Sequence, residues 1–128
     1  MKPGPHFLML IFLPFFAISS GKANGPEIDP VVAAPQQFKI LLENEHVRVI
    51  EYRLAPGHRD SWHTHPPKVS YIISGGRLRI NLESGESFEV TETTGAAQWA
   101  GARGRHYVEN IGDTTVRVLL VEVKAAAQ

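Results

Sequence analysis

Residues 57–65 of this 128-residue chain read GHRDSWHTH, beginning at Gly57 and ending with His63 and His65. Side chains alternate along a β-strand, so two histidines one residue apart point to the same face. A third imidazole from a distant strand, that of His106, could complete one side of a metal coordination sphere. A bare His-x-His pair is also common among surface and turn residues. The metal interpretation therefore depends on the surrounding spacing.

Short β-like runs follow one another along most of the chain, and turn residues rich in glycine separate them. No stretch is long enough and periodic enough to predict a helix. The predicted strands span residues 38–42, 47–54, 69–74, 78–82, 87–93, 98–100, 106–110 and 115–123. Strands of this number and spacing indicate an all-β sandwich or barrel.

One hairpin can be predicted in full register. The sequence ESG forms a three-residue loop in which Gly85 takes the position that needs positive φ. Ile80 then lies opposite Phe88 on an apolar face, and Arg79 lies opposite Glu89 on the other face. A half-buried antiparallel pair is expected, with the arginine in solvent.

The segment 57–65 resembles the first half of the cupin motif, G-x5-H-x-H, without a gap. The second cupin motif, G-x5-P-x-G-x2-H-x3-N, is matched at Gly95, His106 and Asn110. Gly101 and Arg103 replace its proline and its second glycine. The resemblance covers roughly residues 38–124 and implies a single-domain cupin, a double-stranded β-helix of the jelly-roll type.

The resemblance also implies a metal site made of His63, His65 and His106. Cupins usually add a glutamate after a gap of three or four residues beyond the second histidine, and this chain has Val69 and Ser70 at those positions. Three neutral ligands leave the charge of a divalent metal whole, so the site should favour an anionic ligand. Imidazole suits Zn, Cu, Fe and Ni, and the family adds Mn, so the metal remains open.

Two functions from different classes fit this site. The first is a mononuclear, Fe(II)-type dioxygenase that acts on a small anionic chelating substrate, since cupins with three-histidine sites include such enzymes. The second is a non-enzymatic cupin that binds a small ligand or the metal alone. A zinc hydrolase is a third reading. Tyr71 shares its strand face with Val69 and is the one catalytic candidate, as a proton donor inside the barrel; otherwise it is a core aromatic residue.

The first 23 residues predict an export signal. Lys2 precedes an uncharged run over residues 7–18, which is too short for a membrane span of about 20 residues, and small residues follow. Cleavage is expected near Ala23, with a single-pass anchor as the alternative. Its removal takes away Lys2 and Lys22, which leaves 11 basic and 13 acidic residues and a formal charge of −2. We therefore expect a periplasmic or secreted protein that binds neither nucleic acid nor membrane.

Residues 24–37 are rich in proline and predict an extended arm before the barrel of residues 38–124, and residues 125–128 form a short tail. The chain has no cysteine, so no disulfide or thiol chemistry is available. Edge strands need cover, and an unpaired arm could cross to a neighbour, so we expect a homodimer.

Other residues of chemical interest receive structural predictions. His46 and His58 are expected to be surface residues and not ligands. Asn110, although part of the motif, is expected to brace a turn. Phe88 and Trp99 are expected to line the core or a pocket.

Overall fold

The computed structural model describes residues 26–125, in which nine β-strands and one single-turn helix are present. The elements are α1 (Pro30–Ala33), β1 (Phe38–Glu43), β2 (Val47–Leu54), β3 (His63–His65), β4 (Lys68–Ser74), β5 (Gly76–Leu82), β6 (Ser87–Glu92), β7 (Ala97–Ala100), β8 (Arg103–Asn110) and β9 (Val116–Val123). No helix of the described chain has the length and apolar character needed to cross a membrane. The prediction of an all-β fold is confirmed.

Two antiparallel sheets make up the barrel. One has the strand order β1-β2-β9-β4-β7 and the other the order β3-β8-β5-β6. Strands distant in sequence are therefore neighbours, and β9 lies in the centre of the five-stranded sheet between β2 and β4. The buried apolar side chains come from both sheets and from Ala34 at the end of α1. Those of the sheets are Phe38, Ile50, Tyr52, Leu54, Ile72, Leu78, Ile80, Val108, Val116, Val118 and Leu120.

The predicted hairpin is confirmed in register. Ile80 pairs with Phe88 and Arg79 with Glu89, and Gly85 has φ of +90°. A guanidinium nitrogen of Arg79 lies 3.4 Å from a carboxylate oxygen of Glu89. Both side chains remain in contact with solvent, so this pair contributes little stability.

All eight predicted strands are present, with ends that shift by at most three residues. The ninth strand, β3, contains only the sequence His63-Thr64-His65 and pairs with β8. A three-residue strand has too few alternating residues to be recognised by periodicity alone, although its two histidines suggested a strand.

The arm was predicted to be extended and unpaired, and for residues 26–37 that prediction is wrong. Asp29 caps the turn of α1 by accepting a hydrogen bond from the backbone N–H of Val31, with Pro30 at the first helical position. The backbone N–H of Thr64 in β3 donates to the carbonyl oxygen of Ile28 at 2.8 Å, and the N–H of Ile28 donates to the hydroxyl oxygen of Thr64 at 2.9 Å. The segment is thus fixed to its own barrel. The predicted export signal lies outside the described residues.

Candidate metal centre

Three imidazoles converge at one end of the barrel, where β3 pairs with β8. His63 lies opposite His106 in the pairing, and a register shift separates that pair from His65, which lies opposite Arg103. The ring centroids of the three histidines are 4.3 to 5.4 Å apart. One ring nitrogen from each lies within 4.8 Å of the others. The three residues predicted from the motif are therefore brought together.

Each imidazole is held through its Nδ1 atom. The Nδ1 of His63 lies 2.7 Å from the carbonyl oxygen of Ser61, and the Nδ1 of His106 lies 2.7 Å from that of Gly104. A carbonyl oxygen only accepts, so each Nδ1 carries the proton and donates it. The Nε2 atoms are then unprotonated, with a lone pair available for a metal. The local backbone thus selects the tautomer that metal binding needs.

Burial keeps two of these rings uncharged. Burial lowers the pKa of His106 to about 2, with the neighbouring His63 as the next cause. Burial, followed by the charge of Lys68, holds the pKa of His65 well below its usual range. Because a metal ligand must be an unprotonated imidazole, a metal would bind at neutral pH without displacing protons from these rings.

A carboxylate stands behind His65. The Nδ1 of His65 donates to Oε2 of Glu122 at 3.3 Å, and Oε1 of Glu122 accepts from Arg48 at 2.7 Å. Arg48 in turn donates two hydrogen bonds of 2.9 Å to Asp29 in the N-terminal segment. Glu122 is only 2% exposed. A charged chain therefore connects the N-terminal segment to one candidate metal ligand.

A second carboxylate, that of Asp60, lies near His63. Its Oδ1 is 3.8 Å from Nδ1 of His63 and accepts a 2.7 Å hydrogen bond from the N–H of Val108. Its Oδ2 accepts from the hydroxyl of Tyr52 at 2.8 Å. Burial raises the pKa of Asp60. Carboxylates that orient metal-binding histidines commonly increase the basicity of the ring, so Asp60 and Glu122 could partly replace the carboxylate missing from the motif.

The residues at the missing glutamate position point in opposite directions. Ser70 lines the interior cavity, whereas Val69 is 38% exposed on the outer face of β4. Only the interior position could carry a ligand. The donor set of the described residues is therefore three nitrogens, and it fits a divalent transition metal of the kind that imidazole prefers.

The interior of the barrel contains a cavity of about 190 Å³, lined by the three histidines and by side chains of both sheets. Ile72, Leu78 and Ile80 form part of an apolar wall, and Phe88 lies on the same cavity, as predicted. Two cationic side chains, Lys68 and Arg103, also line it. We refer to these two residues as the cation pair. The histidine cluster, the cation pair and two carboxylates, those of Asp60 and Glu92, therefore share one cavity.

Tyr71 does not line this cavity, and the prediction that it points into the barrel is wrong. It is 46% exposed on the outer face of β4. The interior face of that strand carries Lys68, Ser70 and Ile72 instead. A proton donor acting from Tyr71 is therefore not available at the histidine cluster. Trp99 was predicted to line the core or a pocket, and that prediction is also wrong, because Trp99 is 62% exposed.

The remaining polar residues lie where the sequence predicted. His46 is on the surface, with its side chain 77% exposed and 3.3 Å from Glu45, and His58 is exposed as well. The amide nitrogen of Asn110 donates to the carbonyl oxygens of Leu54 and Thr114 at 2.8 Å. Asn110 therefore braces a turn and does not belong to the metal cluster.

The sequence reasoning missed four charged residues of the site: Asp60, Lys68, Arg103 and Glu122. One of them left a signal in the sequence. Glu122 continues the alternation of Val116, Val118 and Leu120 along β9, so a charge falls on a face that is otherwise apolar and buried. A charged side chain on a buried apolar face needs a partner of opposite charge, and Arg48 is that partner for Glu122.

The comparison with known proteins agrees with this architecture. A sequence model of the cupin domain matches residues 50–122. A solved cupin domain from Bordetella pertussis is 29% identical, with a TM-score of 0.63, and the match covers 69% of this chain and 92% of that one. No curated protein matches the chain.

Two more distant structures agree in fold. An RmlC-like cupin family protein from Methanocaldococcus jannaschii has 20% identity and a TM-score of 0.55, over 67% of this chain and 77% of its own. A protein with a double-stranded β-helix domain from Klebsiella pneumoniae has 21% identity and a TM-score of 0.53, over 84% and 85%. The family match spans more than half of the sequence, and the barrel, the strand order and the histidine cluster agree with it: this protein belongs to the cupin family.

Proposed function

We propose that this cupin holds one divalent transition metal on His63, His65 and His106 and is an oxygen-dependent enzyme for a small anionic chelating acid. One observation carries the proposal: three imidazoles, with their Nδ1 atoms already hydrogen-bonded, each place one ring nitrogen within 4.8 Å of the others on the interior cavity. A ferrous ion bound there would supply open coordination positions for an acid and for dioxygen.

The protein residues have separate tasks in this proposal. The three imidazoles bring no negative charge to the metal, so an anionic ligand is attracted. Asp60 and Glu122 hold the histidine side of the site in place through hydrogen bonds and ion pairs. The apolar wall of the cavity excludes water from the bound acid, which strengthens each electrostatic contact there.

The second candidate is a cupin that captures a small acid without chemistry. The exposed position of Tyr71 favours it, because the proton donor expected beside the metal is on the outside of the barrel. If the protein is an enzyme, Lys68 could transfer protons in place of Tyr71, because it lines the cavity and burial lowers its pKa to about 8.

Oxygen uptake separates the two candidates. Metal content would first be measured on protein purified from its native compartment. Protein loaded anaerobically with Fe(II) would then be given small enolizable and thiol-containing acids in an oxygen electrode. Uptake that depends on iron, on one acid and on an intact His106 supports the enzyme. Saturable acid binding without uptake by any acid supports the binding module, and protein that retains no metal refutes the metal site.

We also propose that the protein is exported to the periplasm or secreted, on the pattern of residues 1–23. The observation that tests it is the N-terminus of the mature protein. A start near Asn24 supports export, and an intact Met1 in the cytoplasm refutes it.

A homodimer is the last part of the proposal, and the outer face of the five-stranded sheet supports it. An apolar row crosses all five strands in register and consists of Leu42, Val49, Val121, Val69 and Trp99. Its centre, Val121, lies on the central strand β9, and the row extends about 19 Å at the usual strand spacing. A second copy related by a two-fold axis near Val121 would cover the same row on both subunits.

Two aromatic rings add exposed apolar area to this face. Trp99 is 62% and Tyr71 46% exposed, so these two rings alone offer roughly 160 to 270 Å², at 150–250 Å² per aromatic side chain. Apolar patches of this kind on a monomer commonly mark an interface. Trp99→Lys should convert a dimer to a monomer at micromolar concentration, measured by sedimentation. Val32→Lys is the control, since Val32 is 78% exposed but lies in α1. A monomeric wild type refutes the dimer.

A further inference from the structure

The cation pair lies on the interior of the barrel beside the histidine cluster. Lys68 begins β4 and is only 8% exposed, and Arg103 begins β8 and is partly buried. Arg103 lies opposite His65 in the pairing of β8 with β3. Both side chains line the cavity that the three histidines also line. Two positive charges therefore face the space that a ligand of the metal would occupy.

Neither member of the cation pair has a partner within residues 26–125. No side-chain hydrogen bond and no carboxylate within 4.0 Å is found for Lys68 or Arg103 in that range. Other partly buried cations in the same range are paired, with Arg48 on Asp29 and Glu122, Arg105 on Glu83 and Arg117 on Glu51. Each of these arginines thus has a carboxylate partner, although Nε of Arg105 and Nε of Arg117 are unpartnered, and the cation pair differs in having no carboxylate at all.

The two acidic side chains whose charges act on Lys68 are already engaged. Glu122 lies opposite Lys68 in the pairing of β9 with β4, but its oxygens accept from Arg48 and His65. Glu92 also lines the cavity, and its Oε2 accepts from the side-chain amide of Gln98 at 3.0 Å. These acids lower the cost of the cation pair through space without binding it.

Partial burial of a cation without a hydrogen-bonded partner is unfavourable, because the group loses part of its hydration without compensation. Burial, followed by the charge of Arg103, lowers the pKa of Lys68 to about 8, which still leaves the amine mostly protonated at pH 7. An incoming anion would supply the missing partner for both side chains. Arginine offers a planar fork that matches the two oxygens of a carboxylate.

We propose that Lys68 and Arg103 form a carboxylate-binding subsite, and that the ligand is a short acid with a second oxygen donor that reaches the histidine cluster. This inference rests on the proposed metal function and names its ligand class. The cavity of about 190 Å³ beside the histidines has room for a small acid.

Calorimetric titration of the Ni(II)-loaded protein with malonate tests the subsite, because Ni(II) avoids turnover and malonate carries two carboxylates. Wild type should bind malonate at least tenfold more tightly than acetate. Lys68→Met and Arg103→Met should each weaken malonate at least tenfold with unchanged nickel content. Arg77→Met is the matched control, because Arg77 lies on the solvated face of β5 with its side chain 57% exposed, and it should leave malonate affinity unchanged.

Several results would overturn the subsite. The subsite is refuted if both cation variants bind malonate within threefold of the wild-type affinity. It is also refuted if wild type binds acetate and malonate equally well. Tenfold tighter binding of phosphate than of malonate would refute the carboxylate assignment. A protein that binds no nickel refutes the proposed metal function instead. Malonate titration of the metal-free protein then tests the subsite alone, where dependence on Lys68 and Arg103 supports it and independence refutes it.

Thermal stability distinguishes a binding role from a structural one. Lys68→Met removes an unpaired buried charge and keeps the side-chain length, so the ligand-free variant should melt several degrees higher than wild type. A lower melting point would mean that Lys68 supports the fold, and the binding role would be refuted if malonate affinity also stayed unchanged.

Discussion

The histidine cluster and the cation pair line the same cavity but are built in opposite ways. Each histidine has its Nδ1 fixed by an acceptor, and carboxylates stand behind two of them. Lys68 and Arg103 have no such contacts within residues 26–125. The first group is held in one geometry before anything binds, as a metal site requires. Lys68 and Arg103 would gain hydrogen-bond partners only when a ligand binds.

The largest expected effect is at the histidine cluster. His106→Ala should lower metal affinity at least a hundredfold, because two monodentate imidazoles hold a labile ion weakly and changes behind the ligands alone cost 10- to 100-fold. His46→Ala is the control, since His46 lies on the surface. Metal content after dialysis against a weak chelator measures both. Full occupancy in the first variant would show that His106 is structural, and loss in the second that the wrong histidines were chosen.

A bound metal should stabilise the barrel. Binding to the folded state alone adds about 2.7 kcal/mol when free metal is a hundredfold above Kd. For a domain of about 100 residues this raises the melting temperature by roughly 10 to 20 °C. Melting before and after chelation measures the shift, with metal content determined in both samples. An unchanged melting point after proven removal of the metal would contradict a stabilising site.

Acid should destabilise the metal-free protein. His65 and His106 have folded-state pKa values below the usual 6.5, the latter about 2. The unfolded chain therefore binds more protons below pH 6.5, and each group loses about 1.4 kcal/mol of stability per pH unit as the pH falls. The raised pKa values of Asp60 and Glu122 act in the opposite direction at lower pH. A net loss of about 1 to 2 kcal/mol from pH 6.5 to 5.5 is expected.

Urea unfolding at pH 7.5, 6.5 and 5.5 in the presence of a chelator measures this loss. His106→Gln removes one titrating group and should reduce the pH dependence by about half, whereas His46→Ala should leave it unchanged. A stability that is constant across this range would contradict the neutral, buried state of the two rings.

The smallest effect is expected from restoring the missing carboxylate. Ser70→Glu places a negative charge inside the cavity, so it should weaken malonate several-fold and slow metal release. Val69→Glu is the matched control, because Val69 is exposed on the outer face of the same strand. A larger effect of Val69→Glu than of Ser70→Glu would mean that β4 presents its other face to the cavity.

The strand β4 shows why the sequence predicted the fold better than the site. Residues Val69 and Tyr71 are apolar and alternate, which suggested that they face the interior. The interior positions instead carry Lys68 and Ser70, because a cavity for a polar ligand needs polar lining and the outer face carries an apolar row of its own. Alternation identifies two faces of a strand but not which one is inside.

Other parts of the site were predictable for a clear reason. The three histidines lie at motif spacings, and strand parity alone places His63 and His65 on one face. Partners such as Glu122 and Arg48, 74 residues apart, depend on tertiary packing that local pattern does not contain. The single turn of α1 was missed because four residues are too few for a helical period.

The N-terminal segment docks on β3, and this contact determines where the boundary of the domain should be placed. The family match begins at residue 50, yet Ile28 pairs with the strand between two candidate ligands, and Asp29 anchors the chain of contacts that ends at His65. A shortened protein that starts at Phe38 would keep most of the barrel and lose this brace. The functional domain therefore begins at or before Ile28, at least 22 residues before the first residue of the family match.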